Sequence, residues 1–166
     1  MAEDTQGASN NERLLAAARS DNEELILDVF QQGGFDINCK DGLGNTPLHN
    51  AVSHGSTEVL EHILSHEECD VDPINTIEGA TPLHLAMRIE HTALRQHIVE
   101  SLLDAGADTY IKDKNGETAL DILPPDETEI RQLITKARAQ LNVSHEDIAS
   151  DDEDGDAGSG SGSEED

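Results

Sequence analysis

Tryptophan is absent from the 166 residues, and the other aromatics are only Phe30, Phe35 and Tyr110. Three rings leave too few stacking platforms to hold a single-stranded nucleic acid. A core must therefore come from Leu, Ile, Val and Ala. Positive charge is scarce too: ten Lys and Arg stand against 36 Asp and Glu, a formal net charge of −26. That balance repels phosphate backbones and anionic lipid surfaces and attracts basic partners. Direct binding of nucleic acid or membrane is excluded as a primary role. The two cysteines, Cys39 and Cys69, cannot alone build a disulfide framework or a Cys-based zinc site. Reduced thiols are expected, with a lone bridge as the alternative.

No apolar run approaches membrane-spanning length, and Met1-Ala2-Glu3-Asp4 lacks the basic and apolar regions of a signal peptide. The expectation is a soluble cytoplasmic protein, small enough at 17.9 kDa to diffuse into the nucleus. Chain length predicts one domain, and so much negative charge favours a monomer when no partner is bound. Catalytic signatures are missing as well: there is no G-x-S-x-G elbow, no phosphate-binding glycine loop and no H-E-x-x-H. Among eight histidines, His62 and His66 are four apart with Glu58 four before His62. A zinc site wants three or four converging ligands, whereas this spacing reads as ordinary solvated residues on an outer helix. No enzyme, metal or cofactor is expected.

What the sequence does contain is a repeat. Gly44-Asn45-Thr46-Pro47-Leu48-His49-Asn50-Ala51 returns as Gly79-Ala80-Thr81-Pro82-Leu83-His84-Leu85-Ala86, and a weaker copy reads Gly116-Glu117-Thr118-Ala119-Leu120-Asp121. Helical patterns follow, Val59, Leu60, Ile63, Leu64 after the first copy and Ile98, Leu102, Leu103 after the second. Each threonine can cap the helix it precedes, and proline at the first helical position loses no hydrogen bond. Leu48 and Leu83 then point to the core, and Ala51 and Ala86 let neighbouring helices approach.

The G-x-T-P-L-H-x-A starts, with Ala105-Gly106-Ala107-Asp108 closing the second copy, resemble ankyrin repeats. The resemblance covers roughly residues 11–141. It implies an all-α solenoid of four helix-turn-helix units with short β-hairpin loops. The expected boundaries are a flexible N-terminus over 1–10, an N-terminal capping repeat over 11–41 and repeats over 42–76 and 77–113. A C-terminal capping repeat over 114–141 and a disordered acidic tail over 142–166 complete the chain. Leu14, Leu15, Ala17 and Ala18, the turn Ser20-Asp21-Asn22, and Leu25, Ile26, Val29 and Phe30 fit the first cap. Asp126 with Glu129 reads as a capping box ahead of Ile130, Leu133, Ile134, Ala137 and Leu141. The resemblance also implies that His49 and His84 bond to backbone in an adjacent repeat.

Two departures from the period stand out. Thr46 to Leu64 spans 18 residues but Thr81 to Leu103 spans 22, which puts four extra residues near Arg88 to Gln96, around the inter-helix turn. Glu67-Glu68-Cys69-Asp70 lengthens a loop in the same way. Each is either a tolerated insertion or a binding feature.

Ankyrin proteins bind partners on a concave surface of hairpin tips and first helices. The resemblance places there Leu43, Asn45, Ile77, Glu78, Lys114, Asn115 and Glu117 from the tips, together with Gly42 and Ala80. The first helices add Arg19, Ser20, Ser53, His54, Arg88 and Ile89. Leu43, Ile77 and Ile89 are the informative positions, because apolar tips either meet a partner or pack on the next hairpin. The C-terminal stretch carries Asp151, Asp152, Glu153, Asp154, Asp156, Glu164, Glu165 and Asp166. It cannot bury a core, and it either solubilises the chain or mimics a polyanion for a basic client. Ser144, Ser150, Ser161 and Ser163 each have an acid three residues on and resemble acidophilic kinase sites.

The architecture is similar to that of small fungal cytosolic ankyrin proteins with acidic C-termini, which include chaperones of a basic ribosomal protein. The expected function is non-enzymatic: binding and shielding a basic client, such as a ribosomal or nucleic-acid-binding protein. The alternative is an adaptor or stoichiometric inhibitor of a folded regulatory protein, with the tail only solubilising.

Overall fold

A computed structural model describes the backbone of residues 9–149 and the side chains of residues 9–142. Most of the expected flexible N-terminus and the tail from Ser150 lie outside the described residues, and with them the acidic tail and the candidate phosphosites Ser150, Ser161 and Ser163; Ser144 lies on described backbone, its side chain undescribed. Eight helices form among the described residues: α1 Asn10–Ser20, α2 Glu23–Gln32, α3 Pro47–Ser53, α4 Thr57–Leu64, α5 Pro82–Ala86, α6 Thr92–Asp104, α7 Ala119–Ile122 and α8 Thr128–Ala149. The chain divides into two compact units, one ending at Ile130 and one beginning at Arg131, so that α8 spans the boundary.

Within the first unit the helices stand in two rows. α1 packs on α3, α3 on α5 and α5 on α7, while α2 packs on α4 and α4 on α6. Leu14, Ala17 and Ala18 of α1 and Leu48, Ala51 and Val52 of α3 are buried. From the second row Ile26, Val29, Val59, Leu60, Ile63, Ile98, Val99 and Leu102 are buried too. Each large apolar side chain taken fully out of water contributes about 1.5–3 kcal/mol. An aliphatic core of this kind meets the need set by the missing aromatics.

The repeated Thr-Pro start does what its chemistry predicts. Thr46 caps α3 through the His49 N–H, and the His49 ring accepts in return from the Thr46 N–H at 3.1 Å. This is a capping box with histidine in the place usually held by Glu or Gln. Thr81 and His84 repeat it on α5, with a ring-to-backbone distance of 3.1 Å. On α7 the partner of Thr118 is Asp121, whose carboxylate accepts from the Thr118 N–H at 2.9 Å.

The inter-repeat hairpins are tight turns, with no β-strand among the described residues. Two expectations at the C-terminal end need correction. α8 opens at Thr128, one residue later than an Asp126 cap would place it, and continues to Ala149. Backbone 142–149 is therefore helical where the acidic tail was expected to begin, since no proline or glycine interrupts the chain between 126 and 149.

The extra residues of the third unit fall mostly in its second helix. α6 has 13 residues against 8 in α4, while the turn before it grows only from 54–56 to 87–91. His91, standing where glycine was expected, caps α6 by accepting from the Leu94 N–H at 3.2 Å. Buried Arg95 holds the longer turn, donating to the Ile89 carbonyl at 2.7 Å and pairing with Glu127 at 2.5 Å. The lengthened loop is tied down as well. Asp70 donates its N–H to Asn38 Oδ1 at 2.8 Å, and Asn38 Nδ2 donates to the Glu68 carbonyl at 2.9 Å.

Candidate protein-binding face

Three hairpin turns precede α3, α5 and α7, and one polar residue organises each. Asp41 Oδ1 accepts from the Leu43 N–H at 2.9 Å and the Asn45 N–H at 3.0 Å. Asn75 Oδ1 accepts from Glu78 and Ala80, both at 3.1 Å. Asp113 Oδ1 accepts from Asn115 at 2.9 Å and Glu117 at 3.0 Å. A side chain bonding to backbone N–H groups just ahead fixes a tight turn without help from a sheet. Burial alone would push the Asp41 carboxyl up. The two N–H bonds, with Asn50 and Arg19, outweigh it and hold the carboxyl below the usual carboxylate range.

Neighbouring hairpins are joined through backbone. The Thr76 N–H donates to the Leu43 carbonyl at 3.1 Å, and the Lys114 N–H to the Glu78 carbonyl at 2.9 Å. Gly44 sits at φ +81°, and a Cβ there would run into Thr76, so glycine is required for this close approach. The hairpin tips are thus held in fixed order.

On this frame the sequence-predicted residues separate into two groups. Leu43 is 53% exposed and Ile77 60% exposed, and neither is covered by the adjoining hairpin. Arg19, Ser20, Ser53, His54, Arg88, Lys114 and Asn115 are exposed as well. Asn45, Glu78, Ile89 and Glu117 are half-buried and have work inside the fold. Asn45 Oδ1 accepts from Asn75 at 3.1 Å. Glu78 takes Arg88 through both carboxylate oxygens at 3.1 and 3.0 Å. The Ile89 carbonyl receives Arg95, and the Glu117 carbonyl receives His84 Nε2 at 2.8 Å. Ala80 was placed at a tip but is fully buried, and its carbonyl accepts from His49 Nε2 at 2.8 Å.

Sequence reasoning missed Asp41, Asn75 and Asp113, the residues that shape the face. Their signal was present: each stands five or six residues before a helix-capping threonine. Lys40, Ile74 and Lys112, one position earlier in the same register, were missed with them.

His62 Nε2 lies 2.8 Å from Glu23 Oε2, while His66 meets the stacked Phe30 and Phe35 rings edge-on at 5.6 and 5.7 Å. The two histidines thus turn to different partners. Among the described residues no group of three or more His, Cys, Asp and Glu could hold a metal ion. Both cysteines are free thiols, and burial, with Asp36 near Cys39 and Asp70 near Cys69, pushes each up to about 11. Neither is a reactive thiolate at neutral pH. No described helix is long and apolar enough to cross a membrane.

Residues 14–113 match the family model for Ankyrin repeats, in three copies. The chain is 38% identical over 134 residues to the ankyrin repeat-containing protein YGL242C of Saccharomyces cerevisiae, covering 74% of each chain. It is 36% identical over 127 residues to human SMC5-SMC6 complex localization factor protein 1, covering 74% of this chain but 11% of that protein. It is 33% identical over 103 residues to the putative ankyrin repeat protein YahD of Escherichia coli, covering 61% of this chain and 51% of that one.

Proposed function

The chain belongs to the ankyrin-repeat family, a protein–protein interaction module, and from that premise we propose that it is a non-enzymatic adaptor or stoichiometric inhibitor docking a folded partner protein through its hairpin face. One observation carries the reading. Two large apolar side chains, Leu43 and Ile77, stand more than half exposed on adjacent hairpins whose backbones are bonded together. Rigid apolar anchors lose little entropy on binding and serve as hot spots when a partner desolvates them. The charge on this face agrees, since Arg19 and Arg88 are paired with Asp41 and Glu78.

The test uses the full chain as bait beside Leu43→Asp, Ile77→Asp and Ile89→Asp. Each variant should lose at least about tenfold in affinity for the partner, and the Leu43 and Ile77 variants should keep the thermal transition of the parent. Retention of binding by the Leu43 and Ile77 variants would sink the proposal. Ile89→Asp should also lower stability, because Ile89 is half-buried at the turn.

A second reading rests on charge. A net charge of −26, of which −16 falls on residues 1–138, would shield a basic client such as a ribosomal protein. Binding would then fall steeply with salt. It would also weaken when Asp151, Asp152, Glu153, Asp154 and Asp156 of the full chain are replaced by Asn or Gln. Under the first reading the apolar contact at Leu43 and Ile77 resists salt, and replacing the tail carboxylates does not weaken binding. In both readings the proposed setting is the cytoplasm, with the nucleus accessible by diffusion.

A further inference from the structure

We infer that the hairpin face carries a docking strip for an extended acidic peptide segment of the partner, built on Lys40, Ile74, Lys112 and Lys114. The inference rests on the hairpin-face reading and names the chemistry of what binds there. Three of the four lysines in the chain, with Ile74, Thr76 and Asp113, line one cavity of about 400 Å³. Lys40, Ile74 and Lys112 hold equivalent positions, each directly before the Asp41, Asn75 or Asp113 that organises its hairpin. The result is an ordered strip of cation, apolar side chain and cation across three repeats, with Ile74 half exposed between the lysines.

Composition makes this arrangement unexpected. With 36 carboxylates against ten cations, a basic side chain should find an acidic neighbour, and the arginines of the first unit do. Arg13 pairs with Asp28, Arg19 with Asp41 at 3.4 Å, Arg88 with Glu78 at 3.0 Å and Arg95 with Glu127 at 2.5 Å. Among the described residues Lys40 and Lys112 make no hydrogen bond or ion pair. Lys114 Nζ donates only to the neutral Thr76 carbonyl. Asp113 also lines the cavity, but it is buried, its Oδ1 accepts from the Asn115 and Glu117 N–H groups, and it forms no ion pair with these lysines. The cations are therefore open to carboxylates from outside.

The strip sits in a strongly acidic protein, which selects the occupant. A polyphosphate would meet long-range repulsion along its whole length. A short segment with an acidic residue on each side of an apolar one engages the lysines directly and lays its apolar side chain on Ile74. At 0.15 M salt the Debye length is about 8 Å, so more distant carboxylates are damped while direct contacts persist.

The probe is a fluorescent synthetic peptide, blocked at both ends, with two acidic pairs flanking a leucine, and its control is the Asn/Gln isostere. Both are titrated by anisotropy into the full chain at 0.15 M salt. The acidic peptide should bind and the isostere should not. Lys40→Glu/Lys112→Glu should weaken acidic-peptide binding by about tenfold or more, while the chain keeps a cooperative melting transition above the assay temperature. Lys136→Glu, outside the strip, should bind as the parent does. Equal binding of the two peptides, no binding of the acidic one, or unchanged affinity in the double variant would each overturn the inference. Those outcomes leave the Leu43 and Ile77 test standing, so the two readings fail separately.

Discussion

His49 shows how one side chain joins two levels of the structure. Its Nδ1 accepts from the Thr46 N–H inside its own helix start, so Nε2 carries the proton and donates to the Ala80 carbonyl in the next hairpin. Burial, the dominant influence, disfavours the charged ring and lowers its pKa below the ordinary value. A folded pKa below the unfolded one means the unfolded chain binds the extra proton. The stability contributed is full above about pH 6.5 and is lost as pH falls toward the folded pKa. Denaturant melts from about pH 7.5 down to about pH 5 should show this loss. His49→Ala should cost about 1–3 kcal/mol for each backbone group left unpaired and flatten the pH dependence; an undiminished slope would refute the assignment. The role of His49 was legible only through family resemblance. Its acceptor was not, because 31 residues separate ring and carbonyl and only the stacked structure brings them together. Arg95 was illegible for the same reason: nothing in the local pattern marks an arginine on a helix as buried and bound to Glu127.

At the level of elements, sequence pattern located helix starts well and lengths poorly. Thr-Pro and Thr-Ala openings mark α3, α5 and α7 because capping is local chemistry. The extension of α6 and the late start and long run of α8 depend on packing and on the absence of a stop signal, which the repeat pattern does not encode. The hairpins take their order from Asp41, Asn75 and Asp113 rather than from a β-ladder. Two glycines separate backbone conformation from close packing. Gly44 and Gly116 share a positive φ, +81° and +79°, yet a Cβ meets Thr76 at the first and nothing within 4 Å at the second. Gly116→Ala should cost about 1 kcal/mol, the conformational penalty alone. Gly44→Ala should cost clearly more, because the bond between the first two hairpins must open. Chemical denaturation measures both, and equal losses would mean that the hairpin contact contributes nothing.

The whole molecule is governed by its charge. An excess of 26 negative charges opposes compaction, and salt screens that self-repulsion. Melting temperature should therefore rise as salt goes from about 0.01 M to about 0.3 M. A flat or falling curve would show that local ion pairs such as Arg88–Glu78 outweigh the long-range repulsion. Composition alone disclosed this property, whereas the opposite local feature, the lysine strip, needed the repeats in register.

The bonds that cross between units also impose a schedule on synthesis. Ser56 Oγ donates to the Ala18 carbonyl at 2.6 Å, and Asp21, left-handed at φ 54°, accepts from the Val59 N–H at the start of α4 with its carboxylate. His49 and His84 wait in the same way for Ala80 and Glu117. These partners lie 31 to 38 residues apart. At ribosomal rates of about 5–20 residues per second, each unit stays incomplete for about 2–8 s until the next emerges. A nascent chain stalled between repeats therefore presents an unfinished edge, and translation speed through each hairpin sets how long it stays open.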